Sequence, residues 1–205
     1  VMDLNARSGS ARRFGLVQFP EPCGHDSNAL KAGYKTIAEI CKKRLKLASA
    51  AIQSECPEAT CDFGFRVFKL DSSNIRAWEP DPDDLPKTLE DSAEHLKAGR
   101  SEVDILFELL LKLGLDLTVP IEEKKIAGKA VDSIGAGTLL VCLSNKINSK
   151  EVEPLALGIV AWHKQLAPSG ETIIVFRDSA FADDVAKTNL TAILQQHGLE
   201  NVRSL

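Results

Sequence analysis

The chain has 205 residues, of which 44% are apolar and 26% charged, and its formal net charge is −4. That length supports one large domain or two small ones with real cores. The overall acidic balance lacks the footprint of a self-sufficient nucleic-acid binder, no apolar run approaches the roughly 20 residues of a membrane span, and the N-terminus has no signal-peptide pattern, so a cytoplasmic chain without a membrane partner is expected.

VMDLNA, residues 1–6, reads as the tail of a helix. A short polar turn leads to a predicted strand, Phe14-Gly15-Leu16-Val17-Gln18-Phe19. The loop 20–33 is rich in Pro, Gly, Asn and Asp. A helix is then predicted from about Tyr34 to Ser54, with Ile37, Cys41, Leu45, Ala48 and Ile52 on its apolar face. Its other face carries Lys42, Lys43, Arg44 and Lys46, a pattern that ordinarily marks a solvated surface. Phe65-Arg66-Val67-Phe68-Lys69-Leu70 alternates apolar and basic residues, as a strand with one buried face does. Residues 74–86, with Asp81-Pro82-Asp83-Asp84, read as a linker, and Leu85 to Ala98 as a polar surface helix.

Ser101 has the chemistry of an N-cap, with Glu102 and Asp104 in the first turn behind it and Gly114 beyond the last. Between them Val103, Leu106, Phe107, Leu110 and Leu113 line one side, and Ile105, Leu109 and Leu111 make the helix apolar nearly all round. A helix of that kind is buried on several sides or shared with a partner. From Lys125 onward the pattern is α/β. KIAGKAVDSI and TLLVCL form a hairpin around Gly135-Ala-Gly137, and Ser149 is expected to cap a helix that runs to Leu166. Thr172 to Phe176 is apolar enough for a parallel strand. Asp183 opens a helix to His197 that Gly198 stops, and Asn201-Val202-Arg203 is a last short strand. The order β-β-α-β-α-β predicts a small sheet with helices packed on it.

Several motifs invite chemistry. Gly135-Ala-Gly137 precedes a strand, whereas phosphate loops open a helix. Asp178-Ser179 ends a buried strand, where open sheets bind ligands, but no nucleophile–base pair accompanies it. Asp81-Pro82-Asp83-Asp84 lacks the second proline and the aromatic of an Asp-Pro-Pro-Tyr amino-methyltransferase motif. Cys23, His25, Cys56 and Cys61 lack zinc-module spacing, and His25, His95, His163 and His197 share no ligand spacing. His163 and His197 fall near helix C-termini, where a cationic ring is favourable without catalysis. With Cys41 and Cys142 the cysteines number five, which suits a reduced chain better than a disulfide scaffold.

RRFGLVQFPEP, GYKTIAEICKKRL and GFRVFKLDSSNI, followed by RSEVDILFELLLKLGL, GAGTLLVCL and VFRDSAFADDVAKTNLTAILQQHGLENVRSL, resemble the last part of the DNA adenine-N6 methyltransferase subunits of type III restriction–modification systems. The resemblance implies an α/β fold: a partial Rossmann-like methyltransferase segment over residues 1–78, then a small C-terminal α/β assembly domain over 79–205. It implies S-adenosylmethionine as cofactor in a longer parent, whose glycine-rich loop precedes VMDLNA. The catalytic Asp-Pro-Pro-Tyr motif and target-recognition domain lie further upstream, so this chain alone is expected to be inactive. Phe14 to Phe19 would be the second strand of the cofactor unit. There Gln18 stands at the position that related enzymes fill with an acidic ribose ligand, and Glu21 is the nearest carboxylate. Asp71 would lie beside the adenine edge. The implied partners are DNA, through regions absent from this sequence, a second copy of the subunit, and a helicase–nuclease restriction subunit. The 101–113 helix is the candidate assembly surface. Two other readings stay open: a purely non-catalytic dimerisation or nuclease-docking module, and a free-standing α/β regulator.

Overall fold

A computed structural model describes residues 1–78, 82–85 and 96–205. Residues 86–95 of the expected polar helix from Leu85 to Ala98, and residues 79–81 of the linker, lie outside the described residues; Leu96 to Ala98 are not helical, Leu96 being buried in a bridge to Ile75. The chain divides into two compact units, residues 1–69 and 70–205. No helix among the described residues is long and apolar enough to cross a membrane.

The first unit is helical. Its α1 spans Met2–Ser8 and ends at Gly9, whose φ of 63° suits glycine. Asn5 is buried and fastens the turn that follows: its Nδ2 donates to the Arg12 carbonyl (2.8 Å), and its Oδ1 accepts from Ser10 Oγ (2.9 Å) and Arg12 N–H (3.1 Å). A short α2, Asn28–Lys31, precedes α3, Ile37–Glu55. The α3 start falls later than Tyr34 because Thr36 takes the cap, its hydroxyl accepting from Glu39 N–H at 3.3 Å. No residue of α3 is fully buried; Cys41, Leu45 and Ile52 are half-buried, while Ala48 is exposed.

Neither expected strand of this unit forms. Phe14–Phe19 and Phe65–Leu70 join no ladder among the described residues, and Val17, Phe19 and Leu70 stand largely in solvent. A strand exists only through its neighbour's hydrogen bonds. The apolar alternation is present, and a pairing edge is not.

The second unit is an α/β/α sandwich about a five-stranded sheet of order β1-β2-β3-β4-β5. Its strands are β1 Ile121–Ile126, β2 Lys129–Ile134, β3 Leu139–Cys142, β4 Ile173–Phe176 and β5 Val202–Ser204. The first two joins are antiparallel, the last two parallel. Helix α4, Glu102–Lys112, covers one face, over Ile134, Leu139, Val141 and Val175. Helices α5, Ser149–Leu166, and α6, Asp184–Gln196, cover the other, over Val131, Leu140, Cys142, Ile174 and Phe176. The alternation of these residues between two cores follows from the two-residue period of a strand.

The caps expected at Ser101 and Asp183 are present, whereas α5 is capped by Asn148, whose N–H donates to Glu151, and Ser149 is its first helical residue. Ser101 and Asp104 form a capping box, and Asp183 accepts from Ala186 N–H at 2.7 Å. Gly198, with φ 81°, follows α6. The α4 surface differs from the all-round burial expected of it. Ile105, Leu106, Leu109 and Leu110 are buried, whereas Val103 and Leu111 are exposed. One helix face meets the sheet and the opposite face does not.

The β-rich half holds one strand more than expected. β1 reads IEEKKI, a charged pattern that hides a strand, because an edge strand with one wet face tolerates charge and is protected by it from further pairing. It reaches β2 through Ala127-Gly128, both at positive φ (49° and 79°), the signature of a type I′ hairpin. Gly135, Ala136 and Gly137 also have positive φ and link β2 to β3, so those glycines serve a turn.

Two substitutions test this packing. Gly158 lies on α5, where an added Cβ would sit 2.2 Å from Ile126 Cγ2 on β1. Alanine raises helix propensity by about 1 kcal/mol, but overpacking costs about 1–3 kcal/mol. Gly158→Ala is therefore expected to lower stability in urea melts. Asp132 faces Glu123 across the β1–β2 ladder. Burial, then the charges of Glu123 and Glu102, push its carboxyl up to about 6. Ionising it in the folded sheet costs stability, and the cost grows as pH rises from about 4 to about 6. Asp132→Asn should stabilise the protein by about 1 kcal/mol at pH 7, allowing for partial exposure, and be neutral below pH 4.

Candidate functional site

The expected cofactor residues fall in both units. Gln18 and Glu21 lie three residues apart on the exposed segment before α2. The Gln18 carboxamide donates to the Phe19 carbonyl at 3.0 Å. Glu21 is anchored by its backbone, its carbonyl accepting from Ile37 N–H at 3.0 Å, next to a bridge between Pro22 and Thr36. Its side chain is exposed. Asp71 belongs to the second unit, where Oδ2 pairs with Arg100 at 3.1 Å and Oδ1 accepts from Ser72 N–H at 2.7 Å.

Around Asp71 a polar cluster clamps residues 71–75 to α4. Arg100 Nη2 and Lys97 Nζ both donate to Ser72 Oγ, at 3.0 and 3.1 Å. Asn74 is buried, and its Nδ2 donates to the Asp104 carbonyl at 3.0 Å. Glu108 accepts from the Ser73 hydroxyl and, at 2.6 Å, from Asn74 N–H; Lys112 reaches it at 3.0 Å. Burial by itself would raise the Glu108 carboxyl, but those three donors outweigh it and hold the group at about 2. The Asp71 hydrogen bond raises the Arg100 guanidinium, and the Ser101 donors lower the Asp104 carboxyl.

This arrangement is chemically a fastener. Each carboxylate faces a donor; the Ser73 and Ser101 hydroxyls spend their protons on Glu108 and Asp104, whose lowered carboxyls make poor bases. Residues Glu108 and Arg100 escape a reading by motif. A signal exists for Glu108: a single acid inside ILFELLL must find donors when its helix is buried.

A second polar group sits at the carboxyl ends of β3 and β4. Arg177 Nε donates to Ser179 Oγ at 2.9 Å and Nη1 to Asn145 Oδ1; Lys187 pairs with Asp178. Asp178 N–H donates to the Leu205 carbonyl at 2.9 Å. A guanidinium cannot take a proton from Ser179, so the pair is no catalytic dyad. His163 lies in the last turn of α5, as expected. Burial lowers its pKa, and its Nε2 bonds Thr172 Oγ1 at 3.0 Å, with Thr172 donating in turn to the Gly137 carbonyl at 2.7 Å. It ties α5 to the β2–β3 turn, and burial works against the cationic form that the helix end would favour.

The donor chemistry fits a ribose only in part. Glu21 offers a carboxylate and Gln18 one acceptor, both on an exposed segment, while Asp71 is engaged by Arg100.

No protein-family model matches the chain. Over 70 residues, 34% of the chain, it is 35% identical to the Mod subunit of the type III restriction–modification enzyme StyLTI of Salmonella typhimurium strain LT2. The match spans 11% of that protein's length. It supports a loose relation to type III Mod subunits and, through them, a methyltransferase-related fragment.

The clamp on α4 is open to test by pH. A carboxyl held below its ordinary range stabilises the fold fully above about pH 4.5 and progressively less toward pH 2. Glu108→Gln is expected to cost about 1–2 kcal/mol at pH 7, a difference that shrinks as pH falls through 4 in parallel urea titrations.

Proposed function

We propose that the chain is the C-terminal part of a type III modification subunit, whose complete polypeptide transfers a methyl group from S-adenosylmethionine to the exocyclic amine of an extruded adenine. In that reaction the cofactor supplies the methyl. Residues 1–78 belong to the methyltransferase core and 79–205 to an assembly domain. The reading includes a cytoplasmic location, pairing with a second Mod copy, and docking of a helicase–nuclease subunit. The chain by itself is inactive.

The observation that carries this reading is the 35% identity over 70 residues to a Mod subunit. A physical feature supports it. Phe14–Phe19 and Phe65–Leu70 hold apolar side chains in solvent outside any ladder, as strands do when their sheet is supplied by other polypeptide. In the complete enzyme Glu21 accepts from the ribose hydroxyls, with Gln18 as a second acceptor and Asp71 near the adenine edge.

The test begins with the reading frame upstream of the Val1 codon. An open frame through a glycine-rich loop and an Asp-Pro-Pro-Tyr motif is expected. A stop codon and ribosome-binding site just before Met2 would sink the proposal and favour a stand-alone binding module. In the complete polypeptide Glu21→Gln should raise the KM for S-adenosylmethionine roughly tenfold, about 1.4 kcal/mol, with kcat little changed. An unchanged KM assigns the ribose to another residue. The 205-residue chain itself should give no methyl transfer.

A further inference from the structure

The net charge of −4 is an average over two opposite units. Residues 1–69 hold 11 Lys and Arg against 7 Asp and Glu, a balance of +4, and residues 70–205 hold 14 against 22, a balance of −8. Within the first unit the densest positive run is Lys42, Lys43, Arg44 and Lys46, on α3. All four are exposed, and none forms an ion pair with a carboxylate of the described residues.

Helix stability does not account for this run. Lys42 and Lys46 are four residues apart, a like-charge spacing that weakens a helix. The cations lie in the N-terminal half of α3, and its last turn has none, the reverse of what the helix dipole favours. Glu39 is the one acid within a turn of the run, and its carboxylate already accepts from Lys35 N–H at 2.6 Å, so the four cations outnumber their helix neighbour and an external anion would relieve them.

The surface beside the lysines has a second character. A groove of about 380 Å³ runs along the same flank of α3, with Lys46, Ser49 and Gln53 on one wall and Phe63, Phe65 and Val67 on the other. Ser49 Oγ donates to the Phe63 carbonyl at 3.0 Å, which holds the aromatic wall against the helix. Lys42 and Lys46 are separated by one turn, about 6 Å along the axis, a reach of roughly two phosphates on one nucleic-acid strand. Cations in line with an open aromatic groove are the elements of a single-strand binding surface: phosphates pair with the lysines, and bases enter the groove. A duplex would leave the groove unused. A membrane would need a free apolar helix face, and the apolar side of α3 is half-buried within its own unit.

We infer that α3 and the 63–67 segment form a single-stranded nucleic-acid binding surface, with Lys42, Lys43 and Lys46 on the phosphates and Phe65 against a base. The inference does not rest on the methyltransferase reading, since binding is measured without cofactor or methyl transfer. The test is fluorescence anisotropy of the 205-residue chain with a labelled oligothymidylate, a duplex of equal length, and vesicles containing phosphatidylserine. The chain should bind the single strand more tightly than the duplex. Affinity should fall as salt rises from about 50 to about 200 mM, and Lys42→Gln/Lys43→Gln/Lys46→Gln should reduce the log–log salt slope by about 2. These lysines are exposed, so the thermal melt of that variant should match wild type. Phe65→Ala should weaken the single strand about tenfold, within the range for loss of one base stack, and leave the duplex unchanged. The inference is overturned if the chain fails to bind the oligonucleotide at low salt, if the triple variant keeps the wild-type slope, or if vesicles bind more tightly than the single strand.

Discussion

The second unit depends on one constraint: its central strands are apolar on both faces. Leu139 to Leu143 and Ile174 to Phe176 are all almost completely excluded from solvent. A strand of that composition cannot lie on a surface, so helices must cover both sides of it. Two parallel neighbours also need a crossover, and α5 provides it between β3 and β4. The position of α4 on the opposite face, the placement of the charged strand β1 at the edge, and the close approach at Gly158 follow from completing that sandwich.

The first unit has no comparable constraint. Met2 and Asn5 are its fully buried residues, and its order comes from side-chain-to-backbone bonds at Asn5, Ser27, Thr36 and Ser49. Such bonds define local turns and helix ends and bury little apolar surface. This difference bears on function. The expected ribose residues lie on an exposed segment, and the basic run of α3 lies open beside its groove. The acidic second unit masks that basic surface in any whole-chain average.

Legibility followed the same division. Caps and stops at Ser101, Asp183 and Gly198 were readable because they are local chemistry. The hairpin at Gly135-Ala-Gly137 was readable because glycine preceding a strand has few other uses. β1 was not, since IEEKKI becomes a strand only through the ladder that β2 offers. Phe14–Phe19 carried the pattern of a strand without gaining a partner. Among site residues, Asp71 was visible at the end of FRVFKLD. Its Arg100 counter-ion, 29 positions along the chain, was not, because nothing in local spacing reports a contact made through tertiary folding.

The sequence by itself determined where the helices opened by Ser101 and Asp183 begin and stop, which strands are buried, and that the fold is α/β, because caps, turns and apolar periodicity act over a few residues. Tertiary structure alone decided that α4 buries one face and leaves Val103 and Leu111 wet, that Glu108 meets donors from Ser73, Asn74 and Lys112, and that His163 ties α5 to the β2–β3 turn. Each of these depends on which distant group fills the space beside a side chain. Burial and hydrogen-bond partnership are properties of that space, and local sequence carries no direct record of it.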